Sequence, residues 1–345
     1  MAPLTEDRPV NVAVVGMSYW GPNLARNFDR IEGSHLRFAC DLDEGLLDRH
    51  RSAFPLTKFT TSLDEVLADP ETDAVVIATP VPTHARLALA AIAAGKHVFV
   101  EKPLALTTDD ARAVAEAADA AGVTCMVDHL LVLHPAVTKV KELVDTGHLG
   151  DVHYLYGNRL NLGIVRKDEN ALWSLGPHDI SVMLHIVGEP AVEVSATGAS
   201  YLQEGVEDVV FGRILFASGT IGHLHLSWLD PHKMRRMTVI GSDRMVVFDD
   251  MESERKITVY DKGPVPRTGD YGEYIQVRSG DIFSPKIDGA EPLKLVCQHF
   301  LDCIRSGEAP IADGWAGLAT VEVLEAMDKS LAENGRPVTL EGASA

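Results

Sequence analysis

The feature that most constrains the fold is residues 11–41, where a predicted strand, a glycine turn, a helix and a second strand follow one another. Residues 11–15 are mostly apolar and lack the polar alternation of a half-exposed strand, which favours a strand buried on both faces of a parallel sheet. Gly16 and Gly21 frame the turn that follows. In dinucleotide-binding units such glycines permit a tight turn and close helix packing, and the helix N-terminus faces the pyrophosphate. The order of elements therefore predicts a dinucleotide site at this turn.

Two positions bear on how the cofactor is held. Ser18 stands where a glycine usually lets the backbone approach the pyrophosphate, so an ordinary α/β turn stays open as the alternative. Asp41 ends the second strand, twenty residues after Gly21, at the distance expected of the acid that binds the ribose hydroxyls. Since a carboxylate pairs with a free 2′-hydroxyl and repels a 2′-phosphate, Asp41 favours NAD over NADP. The residues expected to touch the cofactor here are Gly16, Ser18, Tyr19, Trp20, Gly21 and Asp41.

Length and composition limit the class of protein. At 345 residues the chain is long enough for about two domains, each with its own core. Its formal charge of −19 argues against a nucleic-acid partner, whose phosphates would be repelled. No apolar run of 18 residues is present, and residues 1–9 resemble a loose tail without the apolar core of a signal peptide, so we expect a cytoplasmic protein with no membrane partner. The four scattered cysteines fit small buried side chains in a reducing compartment.

The order of predicted elements defines two domains. Strands and helices alternate over residues 1–128, which predicts an α/β domain with a doubly wound parallel sheet of the Rossmann type. Strands then predominate, which predicts an α+β domain with a large antiparallel sheet over residues 129–345. An apolar free face on that sheet would promote aggregation, so we expect a homodimer or homotetramer. Within this domain we expect a loop at 161–173 and, after Pro177, a helix at 178–187. An irregular loop at 264–290 and helices at 293–306 and 316–333 are expected to follow.

Thr79 and Pro80 follow a predicted strand at residues 74–77, at its carboxyl end. Open α/β sheets bind ligands at the carboxyl ends of their strands, so we expect both residues to lie near the cofactor. His84 follows shortly after them. It lies over the cofactor in one interpretation, and in the other it is an ordinary residue in the first turn of the next helix.

Glu101 and Lys102 follow the next predicted strand, at residues 97–100, and are expected to bind the cofactor at the same edge of the sheet. Pro103 prevents Lys102 from continuing a helix and holds it extended, which would aim the ammonium into a cleft. A solvated lysine in a loop is the alternative. The position at the carboxyl edge favours the functional interpretation.

These motifs mark a resemblance to a known family. Glu101-Lys102-Pro103, together with the glycine turn and the turn at Thr79, resembles the glucose-fructose oxidoreductase and inositol dehydrogenase family (Gfo/Idh/MocA). The resemblance covers nearly the whole chain, including the change to an antiparallel sheet. Residues 16–24, 159–163, 172–179 and 227–231 are similar to a narrower group of dehydrogenases and ketoreductases that act on nucleotide-linked sugars.

The resemblance implies that Lys102 and His178 serve the chemistry. Hydride transfer from a secondary alcohol needs a base for the hydroxyl proton and a positive group for the developing alkoxide. We expect the reacting carbon to lie over the nicotinamide, in a cleft between the domains. The family often has an aspartate four residues before the histidine, where this chain has Ser174, so Asp179 or the substrate would have to orient His178. Without the resemblance, a histidine at a helix N-terminus that pairs with solvent or Asp179 is the simpler interpretation.

Other polar residues of the second domain are candidates for substrate contacts, namely Arg159, Asn161, Trp173, Ser174 and Asp179. Arg159, Arg166 and Lys167 are either solvated charges or, in so acidic a chain, the groups that hold a substrate phosphate. His223 and His225 face one side of a strand and would suit a metal, but since no third ligand is evident, packing of a sheet face or subunit interface is favoured.

Together these features predict an NAD-dependent oxidoreductase that transfers a hydride to or from a ring carbon of a sugar. A nucleotide-linked sugar is the expected substrate, and a free cyclitol or sugar is the closest alternative. A different class stays open as well. Ser18 and Ser174 would also fit a non-catalytic sensor that binds NAD and a sugar without turnover.

Overall fold

The structure is a computed structural model that describes residues 8–163, 165–167, 169–264 and 277–340. Most of the predicted tail at residues 1–9 therefore lies outside the described residues. The chain divides into two compact units. The first runs up to Leu133 and includes Ala290–Val321, and the second comprises His134–Gly289 and the chain from Glu322.

The first unit is built on a parallel sheet, as predicted. Its strands are β1 (Val10–Val15), β2 (Ser34–Cys40), β3 (Lys58–Thr60), β4 (Ala74–Ile77), β5 (His97–Val100) and β6 (Cys125–Val127). The helices between them are α1 (Gly21–Arg30), α2 (Glu44–His50), α3 (Leu63–Ala68), α4 (His84–Ala93) and α5 (Thr108–Ala121). The strand order is β3-β2-β1-β4-β5-β6, with parallel pairing throughout. This order reverses between β1 and β4, where doubly wound sheets bind dinucleotides.

The remaining elements follow in chain order. They are α6 (Pro135–Asp145), β7 (Val152–Leu160), α7 (Ala171–Val187), β8 (Ala191–Ala199), β9 (Val209–Phe216), β10 (Ile221–Ser227), β11 (Met234–Gly241), β12 (Met245–Asp249), β13 (Ile257–Pro264), β14 (Val277–Phe283), α8 (Pro292–Ser306), α9 (Gly314–Ala332) and β15 (Val338–Thr339). Among the helices that the structure describes, none has the length and apolarity to cross a bilayer.

The second unit contains a nine-stranded sheet in the order β14-β13-β12-β11-β7-β10-β9-β8-β15. The pairing is antiparallel except between β7 and β10, which run parallel, so the predicted antiparallel sheet is mixed at one position. Helix α7 packs on one face at close range. A Cβ atom on Gly157 of β7 would lie 3.3 Å from Cε of Met183, and one on Gly222 of β10 would lie 3.2 Å from its sulfur.

Helix α8 belongs to the first unit, although the predicted division at residue 128 assigned it to the second. Its apolar face explains the difference. Phe300 packs edge-on against Phe28 and Phe99, with ring centroids 6.3 and 5.4 Å apart, in the core that also holds Val12. Burial of these rings stabilises the unit, and the sequence distance between them hides the contact from any local pattern. All four cysteines are buried and free, as predicted.

The predicted start of α7 is wrong. The helix begins at Ala171, whereas the sequence interpretation extended a loop to Trp173 and used Pro177 as the helix start. Asn170 explains the early start, because its Oδ1 atom accepts a hydrogen bond from the Trp173 amide at 3.1 Å and caps the helix. Pro177 lies inside the helix and deprives it of one main-chain donor without ending it.

The predicted irregular loop at residues 264–290 contains a strand. Strand β14 pairs antiparallel with β13 at the edge of the sheet. Its side chains are exposed, so no buried apolar pattern marks the strand in the sequence, and main-chain pairing with β13 decides its conformation. Residues 265–276 of the predicted loop lie outside the described residues.

Candidate active site

The glycine turn after β1 has the geometry that a dinucleotide site needs. Gly16 has a φ of +96°, a region that favours glycine, and its amide donates to the carbonyl oxygen of Cys40 at 2.8 Å. A Cβ atom on Gly16 would lie 2.6 Å from the carbonyl oxygen of Ala78, and one on Gly21 would lie 1.7 Å from that of Gly16. Both positions therefore require glycine.

Asp41 joins this turn to the end of β2. Its Oδ2 atom accepts a hydrogen bond from the Met17 amide at 2.7 Å, and its Oδ1 atom accepts one from the Asp43 amide at 3.0 Å. The side chain is half-buried, and each carboxylate oxygen has a second acceptor position. Asp41 therefore shapes the turn and still offers acceptors to ribose hydroxyls, so the residues present fit NAD.

The other predicted residues of the turn differ in exposure. Ser18 and Tyr19 are exposed, whereas Trp20 is half-buried and its Nε1 atom donates to Oδ2 of Asp128 at 3.4 Å. Within the described chain, no side chain caps the N-terminus of α1, and Pro22 lies in its first turn. Main-chain N–H groups at such a helix start attract the phosphates of a dinucleotide.

His84 ties the turn after β4 to the turn after β5. Its Nε2 atom lies 2.8 Å from the carbonyl oxygen of Thr79, and its Nδ1 atom lies 2.8 Å from that of Pro103. Burial lowers the pKa of His84, although the two carbonyl contacts act in the opposite direction. Only 1% of the residue is exposed, and its two ring nitrogens hold the two turns together, whereas the predicted contact with the cofactor stays a prediction. Thr79 is half-buried and Pro80 is exposed at the same edge of the sheet.

Glu101 and Lys102 follow β5 at this edge, as predicted. Lys102 is half-buried and is joined to Pro103 by a cis peptide bond. Burial raises the pKa of the Glu101 carboxyl well above its usual range, and the nearby Asp128 raises it further. Burial also raises the pKa of Asp128, against the neighbouring Glu101 carboxyl and the hydrogen bond from Trp20, which lower it. The charge of Lys102 lowers both pKa values, so its ammonium lies within electrostatic reach of the two carboxyls.

Asp128 and His129 are the residues that the sequence interpretation missed. They directly follow β6 and are buried, with 0% and 2% of their surface exposed. Burial, with the charge of Lys102, lowers the pKa of His129 to about 3. The signal that would have found them is their position after a parallel strand, the same argument that selected Thr79 and Glu101.

Helix α7 carries several candidates of the second unit. Ser174 and His178 lie four positions apart and therefore share one face of the helix. Ser174 is buried, and His178 and Trp173 are half-buried. These positions suit a site on that face of α7.

Asp179 and Arg159, both predicted to contact a substrate, form a buried ion pair. Oδ2 of Asp179 accepts from Nε of Arg159 at 2.5 Å, and its Oδ1 atom accepts from Nη2 at 3.3 Å. The residues are 3% and 8% exposed. The Arg159 guanidinium is therefore bound to a carboxylate that neutralises it, and the orientation of His178 by Asp179 stays a prediction.

The other basic candidates lie after β7. Nε of Arg166 is 2.9 Å from a carboxylate oxygen of Glu169, and Lys167 is exposed. The main-chain amide of Asn161 donates to the carbonyl oxygen of Ser227 at 3.0 Å. With Arg159 committed to an ion pair, Arg166 and Lys167 are the predicted phosphate contacts that stay at the surface.

His223 and His225 lie on the open face of β10. The ring of His225 stacks on Phe211, with centroids 4.5 Å apart. No group of three or more potential metal ligands occurs among the residues that the structure describes. The stacking agrees with the interpretation that these histidines pack a sheet face.

The parallel sheet, its glycine turn and Asp41 define an NAD-binding oxidoreductase domain, and family models agree. Residues 10–129 match the oxidoreductase family with an NAD-binding Rossmann fold, and residues 137–247 match the Gfo/Idh/MocA C-terminal domain. The chain therefore belongs to the Gfo/Idh/MocA family of oxidoreductases.

Three relatives illustrate the range of this family. Scyllo-inositol 2-dehydrogenase (NAD(+)) of Bacillus subtilis (strain 168) is 27% identical, over 97% of each chain. UDP-N-acetylglucosamine 3-dehydrogenase of Acidithiobacillus ferrooxidans is 28% identical, over 74% of this chain and 77% of the relative. The crystal structure of GenD2 from gentamicin A biosynthesis, in complex with NAD, is 28% identical with a TM-score of 0.80, over 99% of this chain and all of that one.

Proposed function

We propose that this protein transfers a hydride between NAD and a ring carbon of a polyhydroxylated substrate, a sugar or a cyclitol. The observation that carries the proposal is the common position of two groups. Asp41, which suits the ribose of NAD, and Lys102, which suits a developing alkoxide, follow strands of one parallel sheet at its carboxyl edge.

In this proposal Lys102 and His178 divide the work of hydride transfer. The ammonium of Lys102 stabilises negative charge on the substrate oxygen, and the imidazole of His178 accepts the hydroxyl proton. Ser174 shares a face of α7 with His178 and has no negative charge. The basicity of His178 then has to come from other groups of the site or from the substrate.

A nucleotide-linked sugar is the first substrate class to test, and a free cyclitol is the second. Similarity to UDP-N-acetylglucosamine 3-dehydrogenase supports the first, and similarity to scyllo-inositol 2-dehydrogenase over nearly the whole chain supports the second. Because Arg159 is paired with Asp179, it is a weaker candidate for binding a substrate phosphate. Arg166 and the exposed Lys167 are the stronger candidates. Only the first class carries a diphosphate for these cations.

The test is a substrate panel with the full-length protein and NAD, read by the absorbance of reduced nicotinamide. The panel contains UDP-N-acetylglucosamine, UDP-glucose, glucose, scyllo-inositol and myo-inositol. Turnover of a UDP-sugar, lost together with its affinity in Lys167→Ala, supports the first class, and turnover of an inositol supports the second. Ligand binding to the NAD complex without any turnover in either direction would overturn the enzymatic proposal in favour of a sensor.

We also propose that two copies associate through the open face of the nine-stranded sheet. Tyr154 and Ile221 are direct register partners on β7 and β10, and Tyr156 lies beside His223. The rings of Tyr154 and Tyr156 stack, and both are exposed. A row of exposed aromatic and apolar side chains on a flat sheet suits a second copy of the same surface.

A further inference from the structure

The turns after β5 and β6 bring two carboxyl groups together beside Lys102. Val100 and Val127 are register partners of these parallel strands, and the Asp128 amide donates to the carbonyl oxygen of Val100 at 2.8 Å. Glu101 and Asp128 therefore emerge side by side from adjacent strands, which lie about 4.8 Å apart in a sheet.

Each carboxyl group has one oxygen with a donor and one without. Oε2 of Glu101 accepts from the Lys102 amide at 3.2 Å, and Oδ2 of Asp128 accepts from Nε1 of Trp20 at 3.4 Å. Oε1 of Glu101 and Oδ1 of Asp128 are buried and have no hydrogen-bond partner within the described chain. Two ionised carboxylates would leave both buried oxygens unsatisfied and would repel each other, which is costly in a low-dielectric environment.

We propose that Glu101 and Asp128 share one proton in the folded protein. They then act as a singly charged pair that positions Lys102 and supplies the negative charge beside its ammonium. A proton on Glu101 lets it donate to Oδ1 of Asp128, so both unpartnered oxygens are satisfied by one bond. The pair then carries a single negative charge beside the ammonium of Lys102. It resembles the carboxyl dyads in which like charges in contact prevent the ionisation of both groups.

The charged and titratable groups around the pair are consistent with this assignment. They are Lys102 on the same loop, His84 and His129 within reach of its charge, and Cys297 on α8, whose pKa is raised by burial and by both carboxyls. Of these groups only Lys102 is a cation at neutral pH, since burial lowers the pKa of both histidines and keeps the thiol protonated. One cation is matched by one negative charge, which two ionised carboxylates would exceed.

The shared proton makes stability depend on pH in a defined direction. In the unfolded chain both carboxyls ionise at about pH 4, their ordinary value. In the folded chain the pair keeps one proton above that pH, so the folded state binds one proton more. The pair therefore contributes its full stabilisation below about pH 4, where the carboxyls of the unfolded chain are protonated. This contribution falls as the pH rises, until the folded pair also ionises.

The test compares unfolding constants of the wild type and Glu101→Gln by denaturant titration from about pH 5 to about pH 8, above the unfolded carboxyl values. The amide introduced by this substitution can donate to Asp128 and cannot lose a proton. The ratio of the wild-type unfolding constant to that of the variant should therefore rise with pH by up to about tenfold per unit. Glu116→Gln, at an exposed carboxyl on α5, is the matched control and should give a flat ratio. A flat ratio for Glu101→Gln would overturn the shared proton.

Asp128→Asn provides the second arm. Its amide can donate to Glu101, so this variant should show the same pH-dependent ratio as Glu101→Gln. A slope in Glu101→Gln alone would assign the proton to burial of one residue and would overturn sharing. These readouts need neither cofactor nor substrate, so they stand even if the proposed hydride transfer fails.

The positioning role rests on the proposed function and is read from kinetics. Each single amide variant keeps one carboxylate near Lys102, whereas Glu101→Gln with Asp128→Asn removes both. The loss of kcat in the double variant should exceed the product of the single losses by about tenfold, because either carboxylate alone supplies the negative charge beside Lys102. Independent, multiplicative losses would contradict the pair as a unit even if the stability slope is found.

Discussion

At the scale of single residues, Asp41 combines a predicted role with an observed one. The spacing from the glycine turn predicted the ribose contact, and the structure adds hydrogen bonds from the Met17 and Asp43 amides. A substitution therefore affects both the acceptors offered to NAD and the shape of the turn. The preference for NAD over NADP is the property that separates these effects, because only the carboxylate charge repels a 2′-phosphate.

We predict that Asp41→Ser weakens NAD binding and narrows the preference over NADP. Each hydrogen bond to a charged acceptor is worth about 1.5 to 3 kcal/mol, so NAD affinity should fall by at least about tenfold. Dissociation constants for both cofactors, measured by calorimetry, give the ratio. Asp43→Ser is the control, since it alters only the cap of α2, where Oδ1 accepts from Gly45. A wild type that already prefers NADP tenfold would contradict the assignment of Asp41.

Residue pairing was the part of the site that sequence alone did not reach. Lys102 and Asp41 were predicted as site residues because each lies near the carboxyl end of a buried strand. The pairs Glu101 with Asp128 and Arg159 with Asp179 depend on strand register and on helix packing over long sequence separations. No local pattern encodes such contacts, so the sequence alone could not show that Asp179 pairs with Arg159.

At the scale of elements, α7 is set by its N-cap. Asn170 caps the Trp173 amide, and its Nδ2 atom also donates to Glu207 at 2.9 Å and to Asp328 at 3.2 Å. Pro177 misled the sequence interpretation because proline is common at helix starts, whereas here the helix tolerates it in the interior. Strand β14 was missed for a related reason, since its pairing with β13 outweighs its weak intrinsic preference.

We predict that Asn170→Ala lowers the free energy of unfolding by about 0.5 to 2 kcal/mol through loss of the cap. Asn170→Ser keeps a cap acceptor and loses only the amide donors to Glu207 and Asp328. The difference between the two variants in denaturant titrations isolates the cap. Because α7 carries His178, a loosened first turn should also lower kcat in Asn170→Ala more than in Asn170→Ser. Equal stability of both variants would show that the cap is not what starts this helix.

At the scale of the whole molecule, the sequence predicted both sheets but misassigned the return of α8 to the first unit.

The open sheet face bears on assembly. We predict that the protein is a dimer or tetramer at micromolar concentration and that Tyr156→Glu shifts it to monomers, because a charge would be buried in the contact. Light scattering measures the mass. Leu56→Glu, at an exposed apolar residue of the first unit, is the matched control and should keep the wild-type mass. A monomeric wild type would reject association through this face.

The proposed function requires that Lys102 and His178 serve the same hydride transfer. Lys102→Ala should lower kcat much more than it raises KM, since the ammonium matters most when charge develops on the substrate oxygen. Replacing His178 should likewise lower kcat, because the imidazole accepts the hydroxyl proton. Binding of NAD should be nearly unchanged in His178→Asn, which separates lost chemistry from lost cofactor in that variant.

The most direct measurement is kcat of His178→Asn against wild type, on the substrate identified by the panel and at saturating NAD. Asparagine keeps a polar side chain on α7 and removes the base. We predict a loss of about 100- to 10,000-fold, the range for general-base catalysis, with the NAD dissociation constant within about twofold of wild type. A variant that retains more than about a tenth of wild-type kcat, well outside that range, would show that the proton leaves by another route.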